Sequence, residues 1–565
     1  LQRWRQRLTL ALLFAGFAAL SARAMYLQLW QNEFLEEEGE KRVQRIAPIP
    51  AYRGMISDRR GEPLAVSTPV ESLWANPREL AITPQQIQAL AGLLEKQPDA
   101  LRQQLTDKRR AFVYLERQIE PHRAEAIKKL NIAGIHSKAE YRRYYPAGEV
   151  AAHMLGVTNI EDEGQEGLEL AYQTWLSGEP GAERVIKDRR GTAVEILERV
   201  KAPKPGRDLV LSLNQHIQYL AYRTLADSVE QHGARAGSVV VLDARSGEIL
   251  ALANVPSFNP NSRDTFTTPR LRNRAVVDVF EPGSTMKPLL VAAALDAGVV
   301  RPNTVIDTGP GWFQVGDKRI SDVHPKGVMN VAESLQVSSN VAVAKIALEM
   351  RGEDYWKLLN AAGFGAPPKS GMPGEASGRL RPFDTWRPIE KATMAFGHGV
   401  SVSLLQLAHA YTAFANDGVM PQLTTLKREG QAVGTRVMGA QAARNVLSML
   451  ELVTQNGGTA PQARVAGYRV AGKTGTAHKL VNGSYAADKY ISSFVGLAPA
   501  SNPRLVVAVM IDEPTGKAYY GGLVAAPVFS RVMAGALRFM AVPPDASFDE
   551  TSAPPGAAPI VPEAV

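Results

Sequence analysis

Phe280-Glu-Pro-Gly-Ser-Thr-Met-Lys-Pro288 is the most informative stretch of this chain, because it places Ser284 and Lys287 in the pattern S-x-x-K. On a helix these two residues lie on one face, three positions apart and within reach of each other. Pro282 and Gly283 are expected to start that helix, so Ser284 would lie in its first turn. The positive end of the helix dipole would then favour both a neutral Lys287 and a developing oxyanion. A lone S-x-x-K is more often a helix N-terminus with a solvated lysine.

Two further motifs follow Ser284 along the chain. Val337-Ser-Ser-Asn-Val341 contains Ser338 and Asn340 as S-x-N, 54 residues after Ser284. Ala471-Gly-Lys-Thr-Gly-Thr-Ala477 contains K-T-G, whose lysine lies 135 residues after Ser338. Alone, the first could be a helix cap and the second a turn. The three motifs together, in this order, predict a serine acyl-transfer site.

Each residue type has a physical role in such a site. A serine hydroxyl is a poor nucleophile without a base, and lysine can be that base only if its pKa falls from about 10.4 towards neutrality. Burial of Lys287 and a second cation, Lys473, would both favour that change. Ser338 is predicted to relay a proton to the leaving amine, and Asn340 to orient Lys287 and a substrate amide.

The K-T-G segment is predicted to be an edge strand that receives the substrate. Lys473 and Thr474 would hold a carboxylate, and Gly475 would let the substrate approach the backbone. Backbone N–H groups of Ser284 and Thr476 are predicted to form an oxyanion hole, in which one donor is typically worth about 3 kcal/mol. The sequence contains no metal-ligand pattern, and neither a metal nor a cofactor is predicted.

The pattern of elements in the second half of the chain indicates an α+β fold. A Pro- and Gly-rich break at residues 201–207 precedes a short predicted strand, 208–213, and a helix that Asn214 would cap. Apolar runs at 236–243 and 249–254 predict a hairpin, and strands return near 490–497 and 505–512. Strands at both ends of a domain with helices between predict one sheet whose edges come from distant parts of the chain. Before the break, helices are predicted over 85–105 and 121–130.

Residues 8–30 are predicted to be a transmembrane anchor. This apolar segment would form a helix about 34 Å long, enough for a bilayer core of roughly 30 Å. Arginines precede the segment and glutamates follow it, which places the short N-terminus, residues 1–7, in the cytoplasm. Ala22-Arg-Ala24 has the form of a cleavage site, so a cleaved signal peptide is the alternative. In both cases the rest of the chain is exported.

The amino-acid composition and charge indicate which classes of binding partner are expected. The net charge is +8, but 64 Lys and Arg residues are scattered among 56 Asp and Glu residues without a long basic run. This pattern argues against nucleic acid and favours an anionic envelope polymer or a membrane surface. The absence of cysteine excludes disulfides, thiol catalysis and cysteine-ligated metals. The Pro- and Ala-rich tail, residues 543–565, is predicted to be disordered.

With its three motifs the sequence resembles the penicillin-binding protein transpeptidases, and from about residue 45 to 540 it is similar to their class B members. The resemblance implies an elongated, mixed α/β, non-catalytic pedestal domain over residues 31–204. It also implies a transpeptidase domain of the penicillin-binding and serine β-lactamase type over 205–542, with helices on both faces of its sheet. The stretch Gly61–Val70, with Trp74-Ala-Asn-Pro77, resembles the septal, cell-division subclass.

Three stretches of the pedestal also carry the resemblance. They are residues 53–61, residues 143–148 with His153 and Gly156, and residues 164–169. Each combines Gly or Pro turns with charged residues. We interpret them as braces between segments rather than as catalytic elements.

The resemblance implies a peptidoglycan D,D-transpeptidase of the bacterial inner membrane, anchored by a single span with its catalytic domain in the periplasm. Ser284 would be acylated by the penultimate D-Ala of a stem pentapeptide on lipid-linked nascent glycan, and the terminal D-Ala would leave. An amine of a neighbouring stem peptide would then accept the acyl group in a 4,3-type cross-link. β-Lactam antibiotics would acylate the same serine. A SEDS-type glycosyltransferase and other division proteins are the implied partners.

The family's cleft-lining segments match further positions here. Together with the K-T-G residues, the candidate substrate-binding residues are Glu281, Val323, Phe396, His398, Thr474, Gly475, Ala477, His478, Tyr519 and Tyr520. The aromatic residues among them could clamp a substrate or a β-lactam side chain. His398 and His478 are interpreted as lining residues rather than as catalysts.

Two other classes of protein could carry the same motifs. A serine β-lactamase or D,D-carboxypeptidase deacylates with water, but class A β-lactamases are small soluble enzymes that need a carboxylate-bound water. A non-catalytic β-lactam sensor would have several membrane spans, and an inactive scaffold would be expected to lose Ser284, Lys287 or Lys473. Scaffolding in addition to catalysis stays open.

Overall fold

The structure is a computed structural model that describes residues 2–29, 44–187, 193–481, 483–516 and 518–547. Its contacts divide the chain into two compact units. The first comprises Leu1–Arg53, Thr68–Arg142 and Ser177–Arg207, and the second Gly54–Ser67, Arg143–Leu176 and Asp208–Val565. Segments 54–67 and 143–176 of the predicted pedestal therefore pack with the second unit. A single boundary near residue 205 does not separate the two units.

The first unit contains one long N-terminal helix, Gln2–Leu29, which is long and apolar enough to cross a membrane. Trp30, the end of the predicted span, and the glutamates that follow it lie outside the described residues. The other helices of this unit are Pro84–Leu93, Pro98–Thr106 and Pro121–Lys128. Its strands are Gln44–Ile49, Val113–Ile119, Ile135–Tyr144, Gly181–Lys187, Ala193–Lys201 and the second half of Pro63–Ala75.

The predicted helix over residues 85–105 is wrong in one respect, because it is two helices. Glu95 has a φ of +55° and ends the first helix, and Pro98 is the first residue of the second. A residue before proline is disfavoured in the helical region, and Gln97 is extended. The helix predicted over 121–130 is present as Pro121–Lys128.

The second unit contains the predicted central sheet. Its strand order is Ile249–Val255, Ala236–Asp243, Leu505–Asp512, Ser484–Ala498 and Ala471–Val481, and every pairing is antiparallel. Every residue of Ala236–Asp243 and Leu505–Asp512 is buried, as expected for central strands covered on both faces. The K-T-G motif lies in Ala471–Val481, at one edge of the sheet, as predicted. We call this edge strand the KTG strand.

Helices cover both faces of the central sheet. Asn214 caps Gln215–Gln231 through its side chain, as predicted, and this helix packs with Ala526–Phe539 against the sheet. Leu404–Ala415 forms a second layer with Ala440–Leu452, which packs on the KTG strand. All but one residue of Leu404–Ala415 are buried, which explains its continuous apolar sequence.

The remaining elements of the second unit are shorter. The helices are Ala152–Leu155, Gly167–Ala171, Gln173–Leu176, Thr268–Leu271, Arg274–Val277, Lys287–Asp296, Val331–Gln336, Asn340–Glu349, Gly352–Ala361, Pro388–Met394 and Gly521–Val524. The strands are Ile56–Ser57, Leu209–Val210, Val305–Asp307, Trp312–Val315, Lys318–Ser321, Val328–Asn330, Val419–Pro421 and Gly434–Arg436. The predicted strand 208–213 is thus only two residues long.

Two of the pedestal motifs join each other within the second unit. Arg143 Nε donates to Glu169 Oε1 at 2.7 Å, and both side chains are buried. A side chain on Gly156 would lie 1.8 Å from the Glu166 carbonyl oxygen, so glycine is required there. These contacts fit the interpretation of the motifs as braces.

The C-terminal residues are described as far as Ser547. Asp545 accepts hydrogen bonds from Arg469 N at 2.8 Å and from Ser501 Oγ at 2.7 Å. The first residues of the predicted disordered tail, 543–547, are therefore held against the second unit. Residues 548–565 lie outside the described residues.

Candidate active site

Ser284 lies in a single 3-10 turn, Gly283–Met286, that leads directly into the helix Lys287–Asp296. We call this turn the Ser284 turn. Its position at the start of the helix is the predicted one. Gly283 has a φ of +59°, a conformation that favours glycine. Ser284 itself is only 2% exposed.

The Ser284 turn rests against the KTG strand. A side chain on Gly475 would lie 2.9 Å from the Pro282 carbonyl oxygen and 3.0 Å from Thr285 Cγ2. Any residue larger than glycine would thus push the turn away. Tyr411, which is fully buried, also holds the turn by donating to the Thr285 carbonyl at 2.8 Å. The sequence suggested that Gly475 makes room for substrate; the structure adds that it makes room for the Ser284 turn.

Two lysines meet at one serine hydroxyl. Lys287 Nζ donates to Ser338 O at 2.5 Å and to Ser338 Oγ at 3.0 Å. Lys473 Nζ donates to the same Ser338 Oγ at 2.9 Å. Both lysines are fully buried and Ser338 is 1% exposed. Burial and a neighbouring cation each disfavour a protonated amine, so two of the conditions required of a lysine base are present.

Ser338 is held in an uncommon backbone conformation. Its φ is +61°, in the turn Val337–Ser339 between the helices Val331–Gln336 and Asn340–Glu349. We call this the S-x-N turn. The left-handed region costs a residue with a side chain roughly 1–2 kcal/mol, and such strain persists where the surroundings determine it. Here the strained conformation points the hydroxyl at both lysines.

Asn340 begins the helix after the S-x-N turn and keeps one polar atom available. Its Nδ2 is 3.4 Å from the Ser321 carbonyl oxygen. Its Oδ1 is buried and has no hydrogen-bond partner among the described residues. A buried acceptor left without a partner is costly, and a substrate amide could satisfy it.

Thr474 of the K-T-G motif and Thr476, which follows the motif, both form hydrogen bonds with neighbouring segments. Thr474 Oγ1 lies 2.8 Å from Thr459 Oγ1 and accepts from Lys473 Nζ at 3.2 Å. Thr476 Oγ1 accepts from the Gly521 N–H at 3.0 Å. Thr476 therefore connects the KTG strand to the segment that follows Tyr519 and Tyr520.

Glu281 and His398 form a polar cluster with a residue that the sequence did not single out, Tyr485. Glu281 Oε2 lies 3.1 Å from His398 Nδ1 and accepts from Tyr485 OH at 2.8 Å, while Oε1 accepts from the Gly399 N–H at 2.8 Å. Burial would raise the pKa of Glu281, but the hydrogen bonds from His398, Gly399 and Tyr485 outweigh it and lower the pKa. Burial and the neighbouring Glu281 raise the pKa of Tyr485. Glu281 is thus an anion at neutral pH.

Three of the predicted aromatic residues form a continuous row with Tyr490. Tyr519 and Tyr520 stack with ring centroids 4.4 Å apart, and Tyr490 stacks on Tyr519 at 4.1 Å. His478 continues the row, with its ring 4.6 Å from Tyr490. Tyr490 was not predicted, although it lies directly opposite His478 in the strand register.

Other predicted lining residues have different environments. Ala477 is 2% exposed, and a side chain on Gly283 would lie 3.5 Å from its Cβ, so Ala477 supports the Ser284 turn. Phe396 is mostly buried and contacts the His398 ring edge-on. Val323 is 43% exposed and follows Asp322, whose carboxylate contacts the S-x-N turn.

Comparison with known proteins identifies the family. The model of the penicillin-binding protein transpeptidase domain matches residues 237–534, and that of the penicillin-binding protein dimerisation domain matches residues 48–211. The chain belongs to the penicillin-binding protein family. The predicted resemblance is therefore confirmed, and the three motifs all lie within the part of the chain that matches the transpeptidase domain.

Relatives match the chain over nearly its whole length. It is 45% identical over 541 residues to the probable peptidoglycan D,D-transpeptidase PenA of Neisseria meningitidis, covering 95% of this chain and 92% of the relative. It is 40% identical over 549 residues to the peptidoglycan D,D-transpeptidase FtsI of Escherichia coli, covering 96% and 93%.

Solved structures share the same architecture. Penicillin-binding protein 3 of Mycobacterium tuberculosis, in complex with aztreonam, is 28% identical with a TM-score of 0.68, covering 89% of this chain and 99% of that one. The apo transpeptidase domain of Burkholderia pseudomallei penicillin-binding protein 3 is 46% identical with a TM-score of 0.55, covering 60% of this chain and 98% of that one. The α+β fold of a penicillin-binding transpeptidase domain preceded by a second domain is confirmed.

Proposed function

We propose that this protein is a peptidoglycan D,D-transpeptidase with Ser284 as its nucleophile, and that it acts in septal cell-wall synthesis. The observation that carries the proposal is the convergence of Lys287 and Lys473 on the Ser338 hydroxyl beside the Ser284 turn. The septal assignment rests on the similarity to FtsI. β-Lactams would be inhibitors that acylate Ser284.

Acylation begins with proton transfer. Neutral Lys287 takes the Ser284 proton as Oγ attacks the carbonyl carbon of the penultimate D-Ala. The N–H groups of Ser284 and Thr476 receive the oxyanion. When the C–N bond breaks, the proton returns from Lys287 through the Ser338 hydroxyl to the leaving amine of the terminal D-Ala. The 3.0 Å distance from Lys287 Nζ to Ser338 Oγ suits this relay.

Lys473 would stay protonated and serve binding. Its cation, with the Thr474 hydroxyl 3.2 Å away, forms a place for the terminal carboxylate of the donor peptide. The Asn340 Oδ1 would accept a hydrogen bond from a substrate amide. In the second half of the reaction an amine of a neighbouring stem peptide attacks the ester and loses its proton to the neutral Lys287. The ester C–O bond breaks, and Ser284 regains its proton.

A serine hydrolase with water as acceptor is the second candidate. Lys287 and Lys473 contact the Ser338 hydroxyl, and lysine-activated water would make a carboxypeptidase rather than a transpeptidase. The extra unit before the transpeptidase domain and the long N-terminal helix favour the transpeptidase, because a hydrolase needs neither. We propose further that the helix anchors the protein in the bacterial inner membrane with the catalytic domain in the periplasm. A SEDS-type glycosyltransferase and other division proteins are the proposed partners.

The two candidates are distinguished by the fate of the donor stem peptide. The full-length protein in detergent should be incubated with lipid-linked glycan polymer bearing pentapeptides, and the products analysed by mass spectrometry after muramidase digestion. A transpeptidase gives cross-linked dimers and free D-Ala, and Ser284→Ala gives neither. Release of D-Ala without dimers, over a range of acceptor concentrations, would identify a carboxypeptidase instead.

A further inference from the structure

A carboxylate outside the three motifs holds the S-x-N turn. Asp322 directly follows the strand Lys318–Ser321. Its Oδ2 accepts from Ser339 Oγ at 2.6 Å, and its Oδ1 accepts from the Val341 N–H at 2.9 Å. Ser339 Oγ in turn accepts from the Ala342 N–H at 3.0 Å. Asp322 and Ser339 together thus cap the helix that begins at Asn340.

The cap formed by Asp322 and Ser339 lies next to both functional residues of the S-x-N motif, Ser338 and Asn340. Ser338 lies immediately before Ser339, and Asn340 lies between Ser339 and Val341, the two residues that the Asp322 carboxylate contacts. The carboxylate therefore fixes the backbone on both sides of Asn340 and next to Ser338. A negative group at a helix N-terminus is also favoured by the helix dipole.

The cap explains how the conformation of Ser338 is maintained. With a φ of +61°, Ser338 would relax if the turn were free to move. Relaxation would carry its hydroxyl away from Lys287 and Lys473, which it contacts at 3.0 Å and 2.9 Å. A hydroxyl that relays protons must keep both of these distances short.

We propose that Asp322 is a positioning residue for acyl transfer, acting through Ser338. The inference rests on the proposed function of the Ser284 site and deepens it. Asp322 would not contact the reacting atoms. It would instead set the place of the hydroxyl on which the two lysines converge, and link it to the exposed cleft residue Val323.

A matched carboxylate elsewhere in the same unit provides the control. Asp296 Oδ2 accepts from the Gly439 N–H at 2.7 Å and so caps the helix Ala440–Leu452 from another segment of the chain. Both carboxylates cap a helix to which they do not belong. Asp296 has no contact with Ser284, Ser338 or Lys473 among the described residues. Loss of either cap should lower stability, but only loss of Asp322 should slow the chemistry.

The test measures penicillin acylation of the full-length protein by stopped flow, separating the binding constant from the acylation rate constant. Asp322→Ala should lower the acylation rate constant by about 10²-fold, the usual effect of a misplaced catalytic group, with a much smaller change in binding. Asp322→Asn keeps an acceptor for Val341 N–H and should recover much of the rate. Asp296→Ala should acylate within about twofold of the parent protein.

A double-mutant comparison tests whether Asp322 acts through Ser338. In a Ser338→Ala background, Asp322→Ala should reduce the rate further by less than about threefold, because the group it positions is gone. If Asp322→Ala does not fold, Ser339→Ala, which removes the hydrogen bond from Ser339 to Asp322, takes its place.

Equal acylation by the parent and the Asp322 variants, or additive losses with Ser338→Ala, would overturn the inference. A parent protein that is not acylated at all would instead overturn the proposed function. The two failures are therefore distinct.

Discussion

Lys473 Nζ lies 2.9 Å from Ser338 Oγ, the same hydroxyl that Lys287 contacts at 3.0 Å. One serine therefore joins the lysine of the helix to the lysine of the edge strand. The two amines cannot both be protonated there without strong repulsion in a buried site. Assigning the neutral amine to Lys287 and the cation to Lys473 gives each a separate task, which arginine replacements can test.

Replacement by arginine should slow acylation more at Lys287 than at Lys473. A guanidinium keeps the charge but cannot act as a base near neutral pH, so Lys287→Arg should nearly abolish penicillin acylation. Lys473→Arg keeps a cation for carboxylate binding and should leave slow, measurable acylation. The measurement is the second-order acylation rate with a fluorescent penicillin. Near-parental acylation by Lys287→Arg would exclude the lysine-base mechanism.

The strained backbone conformation of Ser338 should affect the free energy of unfolding. Ser338→Gly and Ser338→Ala both remove the hydroxyl, but only glycine adopts a φ of +61° without strain. Ser338→Gly should therefore be more stable than Ser338→Ala by about 1 kcal/mol in urea unfolding. Both variants should acylate slowly and at similar rates. Without strain at Ser338, Ser338→Gly should instead be the less stable variant, because glycine increases the entropy of the unfolded chain.

A methyl group on Gly475 should displace the Ser284 turn. It would lie 2.4 Å from Ser493 Oγ and 2.9 Å from the Pro282 carbonyl oxygen, both too close for contact. Gly475→Ala should lower the acylation rate by at least about 10²-fold. Gly92→Ala is the control, because nothing lies within 4 Å of the added group. A Gly475→Ala protein that acylates normally would show that the turn can shift without loss.

Two buried histidines should make stability depend on pH. Burial lowers the pKa of His153 and of His409 from 6.5 to about 4. Between these two pKa values the unfolded chain binds protons at the histidines that the folded chain does not. The stability that the neutral histidines contribute is therefore complete above about pH 6.5 and is lost as pH falls towards 4. For each histidine, the free energy of unfolding should fall by about 2 kcal/mol between pH 7 and pH 5.

A glutamine replacement isolates one of these histidines. His409 Nε2 lies 2.6 Å from the Pro421 carbonyl oxygen, and glutamine can also donate there without titrating. His409→Gln should therefore reduce the slope of stability against pH, whereas replacement of the exposed His122 should not. An unchanged slope in His409→Gln would show that His409 does not carry this dependence.

The sequence predicted the parts of the site that local motifs define. The three motifs are short and contiguous, and their chemistry restricts the residue types, so Ser284, Lys287, Ser338 and Lys473 could be named without a structure. The edge position of the KTG strand and the cap at Asn214 followed from equally local signals. Tyr485, Tyr490 and Asp322 could not be found in this way. Each reaches the site through strand register or loop placement, and none belongs to a recognisable pattern.

The division into units was also beyond the sequence. Residues 54–67 and 143–176 belong by position to the predicted pedestal but pack with the second unit. Their contacts, such as the hydrogen bond from the Tyr145 N–H to Asn261 Oδ1 at 2.9 Å, join segments that are distant in sequence, and composition does not reveal such pairs. The break between the helices Pro84–Leu93 and Pro98–Thr106 could have been predicted from the sequence, because Pro98 is a local signal for a helix boundary.

The role of Ser284 is tested most directly by the mass of the intact protein after incubation with a penicillin, followed by peptide mapping. One covalent equivalent per chain is expected, located on the peptide that contains Ser284, persisting for many minutes, and absent from Ser284→Ala. Attachment at another serine, or no attachment to correctly folded protein, would contradict the assignment of Ser284 as the nucleophile.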